Sequence, residues 1–146
     1  MDHAELTRRF TADDVEAYAA LNGDHNPIHL DEAAAATTRF GQRIVHGMLP
    51  AGLFGTVFAA AYPGSVYVAQ SFAFRAPVFL DDDVLARITV TRTWPAGRGG
   101  KGGTVVRCAT QLFAKRSADA PPDGARDERR PMLCIDGHAD VLVPPR

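Results

Sequence analysis

The segment GMLPAGLFGTVFAAAY, residues 47–62, carries small or apolar side chains on every face of a helix, and Pro50 suits the first turn of that helix. A helix that is apolar on all sides has to be covered by other parts of the chain. The apolar run from Met48 to Ala61 is shorter than the about 20 residues that a membrane-spanning helix needs. The segment therefore predicts a long helix over residues 47–61 in the core of the protein.

Four later segments alternate apolar and polar residues with the period of two that is typical of β-strands. A long apolar helix followed by strands without intervening helices predicts an α+β fold, in which an antiparallel sheet curls around the helix. A length of 146 residues suits one domain, which we take to span residues 1–146. The four predicted strands are residues 66–75, 83–93, 104–115 and 132–143.

The chain before the apolar helix contains two predicted helices. Thr11 is a predicted N-cap, and Asp14 stands three residues later in a weak form of the capping box. The first helix is therefore predicted over residues 11–22, and Gly23 should end it.

Residues 24–30, DHNPIHL, are predicted to form an ordered, non-helical loop between these two helices. Pro27 lacks an N–H and disfavours the helical conformation at Asn26, the residue before it. The second helix should then begin after Asp31, as its cap, and end at Gly41.

Two segments rich in glycine or proline are predicted loops. Residues 95–103, PAGRGGKGG, have the glycines and the lysine of a phosphate-binding loop. However, Lys101 is followed by glycine rather than serine or threonine, and no helical pattern follows, so a mobile hairpin loop is predicted. Residues 117–131 are polar and rich in proline, which predicts a long exposed loop.

The composition excludes some classes of function. A net charge of −1, with 23% charged and 46% hydrophobic residues, offers no basic excess for nucleic acid or a membrane surface. The N-terminal residues MDHAELTRRF contain no apolar stretch that would form a secretory signal, so we expect a cytoplasmic protein. Cys108 and Cys134 lie in apolar segments without C-x-x-C spacing, which predicts buried free thiols in a reducing compartment.

Asp24 and His29 place a carboxylate and an imidazole five positions apart in a loop that contains a proline. From the residues alone, the two could be a catalytic pair, part of a metal site, or a loop stabilised by an Asx-turn with a surface histidine. A metal site is poorly supported, because His25 and His29 lie on either side of Pro27 and no third ligand has a recognisable spacing.

A second candidate feature is the sequence Val45-His46-Gly47-Met48 at the start of the apolar helix. A glycine there lets a ligand carbonyl approach the backbone, and the free N–H groups of a first helical turn stabilise negative charge on its oxygen. The alternative is structural: Gly47 permits a tight turn, and His46 caps the helix or packs locally.

Three motifs together resemble the MaoC-like dehydratases and R-specific enoyl-CoA hydratases. The similarity is densest from Tyr18 to Phe54. The motifs are D-x-N-P-[IL]-H at Asp24, Asn26, Pro27 and His29, HGM at His46 to Met48, and F-x-x-P-V from Phe74 to Val78.

This resemblance implies a hot-dog fold, in which the helix over residues 47–61 is rolled in an antiparallel sheet, and a homodimer. It implies hydration of trans-2-enoyl thioesters of CoA or acyl carrier protein to (R)-3-hydroxyacyl thioesters, or the reverse dehydration. Neither a cofactor nor a metal is expected.

The resemblance also implies roles for single residues. Asp24 and His29 are expected to form the catalytic dyad, which holds a water on one face of the substrate for a syn addition. The N–H of Gly47 is expected to polarise the thioester carbonyl. The residues expected to bind the substrate are Asn26, His46 and Met48. Asn26 is also expected to orient the dyad.

Three other functions stay open. They are an acyl-thioester-binding hot-dog domain without turnover, a hot-dog thioesterase, and one subunit of a heteromeric dehydratase. The presence of both Asp24 and His29 argues against the first two. The chain also departs from the family pattern: Gly52 and Gly55 replace a small polar residue of the helix, which leaves the lining of the acyl pocket open, and Asp82 replaces a glycine.

Overall fold

An antiparallel sheet dominates the computed structural model, which describes residues 3–117 and 130–146. Within these residues the sheet has six strands in the order β1-β4-β5-β6-β2, with β3 also paired to β6. The predicted α+β architecture is confirmed, and the predicted bounds of β5 and β6 match those observed. The strands are β1 (His3–Arg8), β2 (Val66–Gln70), β3 (Ala73–Phe74), β4 (Asp83–Pro95), β5 (Thr104–Lys115) and β6 (Met132–Val143).

Two features of the sheet differ from the sequence-based expectation. Strand β1 was not predicted; it pairs with β4 in an antiparallel register from His3 opposite Thr89 to Arg8 opposite Val84. The single strand predicted over residues 66–75 is two strands, because the chain leaves its first register on β6 at Ser71 and pairs again two residues later.

Helix α1 (Ala12–Asn22) begins at the predicted cap. Thr11 Oγ1 accepts a hydrogen bond from the Asp14 amide, and the Asp14 carboxylate accepts one from the Thr11 amide, which completes the capping box. Gly23 ends the helix in the left-handed conformation, with φ of 83°.

The prediction of a non-helical loop over residues 24–30 is wrong in its second half. Helix α2 (Pro27–Leu30) begins at the proline, which needs no N–H at the first helical position. Asn26 stays outside the helix, so the steric restriction before proline is respected there. Helix α3 (Glu32–Ala36) is capped by Asp31 as predicted, but it ends before Gly41.

The predicted apolar helix consists of α4 (Met48–Ala51) and α5 (Leu53–Ala61), joined through Gly52, whose backbone is also helical. Helix α5 buries one stripe of side chains, Leu53, Phe54, Val57 and Phe58, against the inner face of the sheet. The sheet residues that face this stripe are buried alternate positions: Val84, Ala86 and Ile88 on β4, Val106, Cys108 and Leu112 on β5, and Ala139 and Val141 on β6.

The expectation that other structure covers every face of this helix is wrong for the single chain. Gly52, Thr56 and Ala59 are exposed on the face opposite the sheet. Met48, in the first turn of α4, is 53% exposed. One apolar side of the helix therefore stays open beside strand β2.

The remaining predictions concern loops, thiols and membrane spans. Residues 95–103 form a hairpin connection with a short 3-10 turn, Arg98–Gly100. Most of the predicted exposed loop over residues 117–131 lies outside the described residues, namely residues 118–129. Of its described residues, Arg130 and Pro131 are exposed as predicted, but Ser117 is buried. Cys108 and Cys134 are buried free thiols, as predicted. None of the described helices is both long and apolar enough to cross a membrane.

Candidate active site

Consecutive Asx-turns shape the loop that carries Asp24. The Asn22 side-chain oxygen accepts a hydrogen bond from the Asp24 amide (3.0 Å), and Asp24 Oδ1 accepts one from the Asn26 amide (3.1 Å). Asn26 Oδ1 in turn accepts a bond from the Ile28 amide (3.4 Å) and so caps α2. One carboxylate oxygen of Asp24 is thereby tied to the backbone of its own loop.

His29 lies on α2 and is held from the opposite side by Ile44. Its Nδ1 is 2.8 Å from the Ile44 carbonyl oxygen, which can only accept, so Nδ1 carries the proton and Nε2 of the neutral ring carries the lone pair. The Ile44 amide bonds to the Ile28 carbonyl, which ties both segments together. His29 is only 8% exposed, and burial is the largest of the effects that lower the pKa of its imidazole below 6.5.

His46 lies behind His29 and touches both members of the predicted dyad. The two imidazole rings stack with their centroids 3.9 Å apart, and His46 Nε2 donates to the backbone carbonyl oxygen of Asp24 (2.9 Å). An oxygen of the Asp24 carboxylate and one ring nitrogen from each histidine lie within 4.8 Å of one another. The predicted pair is therefore brought together, with a second histidine packed beneath it.

These three side chains could offer ligand atoms to a cation, but the orientation of the rings opposes a shared ion. The planes of His29 and His46 are inclined by only 28°. A metal ion bound to both histidines would lie in the plane of each ring, at about 2.0–2.1 Å from each coordinating nitrogen. Two nearly parallel rings stacked on each other do not share such a point, because their planes intersect much farther from the nitrogens than that distance.

Gly47 lies at the start of α4 and lines a groove of about 390 Å³ together with His29, Met48 and Phe74. Within residues 3–117 and 130–146, no acceptor takes a hydrogen bond from the Gly47 amide. The groove is thus lined by the backbone of Gly47 and by the His29 ring, whose Nε2 has no hydrogen-bond partner among the described residues. Its other lining residues include Arg39, Phe40, Val45, Arg75 and Ile135.

The predicted site residues occupy three layers. His29, Gly47 and Met48 line the groove, Asp24 and Asn26 are exposed in the loop next to it, and His46 is buried. Three contributors were missed by sequence reasoning: the Ile44 carbonyl, the Arg43 guanidinium that donates to the His29 carbonyl oxygen (2.6 Å), and the Phe74 ring over Gly47. Only Phe74 carried a signal, as the first residue of the F-x-x-P-V motif.

A family model described as the MaoC like domain matches residues 3–111 of this chain. The chain belongs to the MaoC-like family. The family assignment from the three motifs is therefore confirmed, and the matched range includes the Asp24 loop, His46, Gly47 and the apolar helix.

Individual members of the MaoC-like family are similar over most of their length. An (R)-specific enoyl-CoA hydratase from Rhodospirillum rubrum is 43% identical over 145 residues, which cover 98% of this chain and 86% of that protein. A mitochondrial 3-hydroxyacyl-[acyl-carrier-protein] dehydratase from Arabidopsis thaliana is 33% identical over 138 residues, which cover 94% of this chain and 73% of the relative.

The solved structure of an (R)-hydratase from A. caviae involved in PHA biosynthesis superposes on this chain with a TM-score of 0.75. The two sequences are 39% identical, and the superposition covers 97% of this chain and 94% of the other. The predicted hot-dog fold, a helix packed in a curled antiparallel sheet, is thereby confirmed.

Proposed function

We propose that this chain is a lyase that adds water to trans-2-enoyl thioesters, giving (R)-3-hydroxyacyl thioesters, and that it also catalyses the reverse dehydration. The observation that carries the proposal is the His29 imidazole, which lies beside the Asp24 carboxylate and lines a groove together with Gly47. Within the described part of the chain, neither His29 Nε2 nor the Gly47 amide has a hydrogen-bond partner. The functions named for the Rhodospirillum rubrum and Arabidopsis thaliana relatives support the same chemistry.

In the proposed reaction, Asp24 and His29 together hold one water above C3 of the enoyl group. The water oxygen bonds to C3, the dyad takes one proton from the water, and the dyad delivers a proton to C2 on the same face. The lone pair on His29 Nε2 suits proton uptake. Negative charge builds on the thioester oxygen during this step, and the Gly47 amide donates to it.

The thioester carrier is expected to bear phosphate, because two arginines, Arg39 and Arg75, line the groove next to His29. Arg75 is paired with Asp136 (2.9 Å), whereas Arg39 has no acidic partner among the described residues. CoA and the phosphopantetheine of acyl carrier protein both supply this phosphate. The relatives' names cover both carriers, so the two are compared directly in the assay below.

The proposed enzyme acts as a homodimer. Strand β2 is the last strand at one end of the described sheet, and its Val66 and Val68 are each 60% exposed. Val68 lines a shallow groove together with Gly52 and Gly55 on the open side of the helix. An unpaired edge and an apolar face of this kind are usually covered in a stable protein. Light scattering at micromolar concentration should therefore give the mass of two chains, and the mass of one chain would contradict this part of the proposal.

A cytoplasmic location is part of the proposal, because a reducing compartment suits the two buried free thiols, Cys108 and Cys134.

The direct test of the activity is the loss of enoyl-thioester absorbance with crotonyl-CoA, crotonyl-acyl carrier protein and phosphate-free crotonyl-pantetheine, followed by chiral analysis of the product. We expect the (R)-3-hydroxy product and a higher KM for the phosphate-free substrate. Release of free thiol without hydration would show a thioesterase instead. Binding of crotonyl-CoA without turnover would indicate the binding domain or a subunit that needs a partner chain.

A further inference from the structure

We propose that His46 is a positioning residue of the hydratase, which holds both members of the dyad in place without touching the substrate. The inference rests on the proposed function and changes the expectation that His46 binds substrate. His46 is only 2% exposed and is not among the residues that line the groove. It can influence the reaction only through its neighbours.

The first neighbour is Asp24, whose backbone carbonyl oxygen accepts a hydrogen bond from His46 Nε2. Because a carbonyl cannot donate, Nε2 carries the proton. His46 thus links the Asp24 loop to the start of α4, where its own carbonyl oxygen accepts a bond from the Leu49 amide (3.0 Å). This bond joins the loop to a segment more than 20 positions later in the chain, whereas the Asx-turns of the loop join only residues two positions apart.

The second neighbour is His29, whose ring lies flat against the ring of His46. Tyr18 of α1 packs on His46 with its ring centroid 4.9 Å away at an interplanar angle of 62°. His46 is therefore in ring contact with a residue of α1 and with the catalytic imidazole. This packing limits rotation of the His29 ring about the hydrogen bond to Ile44.

His46 also affects the charge of His29. Burial is the main effect that lowers the pKa of His29; the hydrogen bond to Ile44 raises it, and the electrostatic influence of the stacked His46 ring lowers it. Among the described residues, the charged groups that face His29 also include the Asp24 carboxylate, which raises its pKa, and the Arg43 guanidinium on its carbonyl oxygen. Arg39 and Arg75 line the same groove. His46 thus favours the neutral form of His29 that can accept a proton.

The test uses three variants at one position. His46→Phe keeps a ring against His29 but loses the donor to Asp24, His46→Gln keeps a donor of similar reach but loses the ring, and His46→Ala loses both. We expect kcat of His46→Ala to fall at least about tenfold with KM nearly unchanged, as for loss of an interaction that serves the transition state. His46→Gln and His46→Phe should each recover part of that loss. His3→Gln, an exposed histidine on β1, is the control for the substitution itself.

The second readout is the pKa of His29, followed by NMR in wild type and in His46→Phe, which keeps the ring packing. We expect a higher pKa in the variant. A raised KM at normal kcat in the His46 variants would show that His46 contacts the substrate. If kcat per folded molecule and the pKa of His29 are both unchanged, His46 only packs in the core. Both results overturn the inference. If wild type hydrates no enoyl thioester, the proposed function fails, whereas the NMR titration still tests the coupling between the two histidines.

Discussion

The ring of Phe74 lies directly against Gly47, at the position that a side chain there would occupy. A Cβ built on Gly47 would be 2.6 Å from Phe74 Cε1 and 2.9 Å from Phe74 Cδ1. Phe74 is 55% exposed, so its ring has room to turn away. Two effects of a substitution at Gly47 can therefore be separated: displacement of this ring, and obstruction of the backbone amide in the groove.

Gly47→Val is predicted to lower kcat/KM at least about tenfold, which corresponds to about 1.4 kcal/mol of transition-state stabilisation. The reason is that a branched side chain blocks the approach of the thioester oxygen to the Gly47 amide. Rate and melting temperature are measured on the same sample. The matched comparison is the same substitution in a Phe74→Ala background, where the steric conflict is removed. If the rate in that background equals that of Phe74→Ala alone, the amide has no role.

The rate should depend on pH through His29. Its pKa is lowered mainly by burial, so the neutral ring persists below the ordinary value of 6.5 and is lost only at more acidic pH. The acid limb of the kcat/KM profile is therefore predicted to have its midpoint below pH 6.5. A profile from pH 4.5 to pH 8 in constant ionic strength measures it. A midpoint at or above 6.5 would mean that another group controls the rate.

Stability is predicted to depend on a buried ion pair at the start of β4. Arg116 donates to Asp82 Oδ1 (3.1 Å), and both side chains are at most 2% exposed. Asp82 Oδ2 also accepts a bond from the Phe79 amide (3.0 Å). Asp82→Ala should lower the free energy of unfolding by about 3–5 kcal/mol, because it leaves a buried charge without this partner.

The neighbouring residue provides the control for that measurement. Asp83 pairs with Arg9 (2.6 Å), but both side chains are more than a third exposed, so Asp83→Ala should cost no more than about 1 kcal/mol. Denaturant unfolding of both variants decides the matter. Equal losses would show that burial of the Asp82 pair adds nothing to its contribution.

Local patterns were sufficient to predict the elements that depend on neighbouring residues in the sequence. The capping box at Thr11 determined the start of α1, and the apolar β-pattern determined the bounds of β5, which alternates regularly in burial, and of β6, which does so only in part. Strand β1 was not predicted, because HAELTR is short and contains only two apolar residues, Ala4 and Leu6. Its strand partner, β4, comes from a segment about 80 positions later. Pairing over such a distance leaves little trace in a short local pattern.

The site was predictable as a set of residues but not as an arrangement. The motifs named Asp24, His29 and Gly47, while the burial of His46 depends on where α1 and α2 pack. A histidine can line a groove or lie beneath it, and its sequence neighbours do not distinguish the two. The role of Asp82 was likewise not evident from its neighbours in the sequence. Asp82 was expected to replace a glycine of the family pattern, but the residue with the left-handed backbone that favours glycine is Asp81, whose φ is 64°. Asp82 is instead the buried ion-pair partner of Arg116.

The dyad itself is tested most directly by the rate of crotonyl-CoA hydration in Asp24→Asn and His29→Ala, each compared with Asp13→Asn, an exposed acidic residue in the first turn of α1. Each dyad variant removes a group that transfers the proton or holds the water, so turnover should fall by about two orders of magnitude or more in protein whose circular dichroism matches wild type. Asp13→Asn should retain the wild-type rate. A folded Asp24→Asn or His29→Ala protein that hydrates crotonyl-CoA within about threefold of wild type would contradict the assignment of these residues as the catalytic pair.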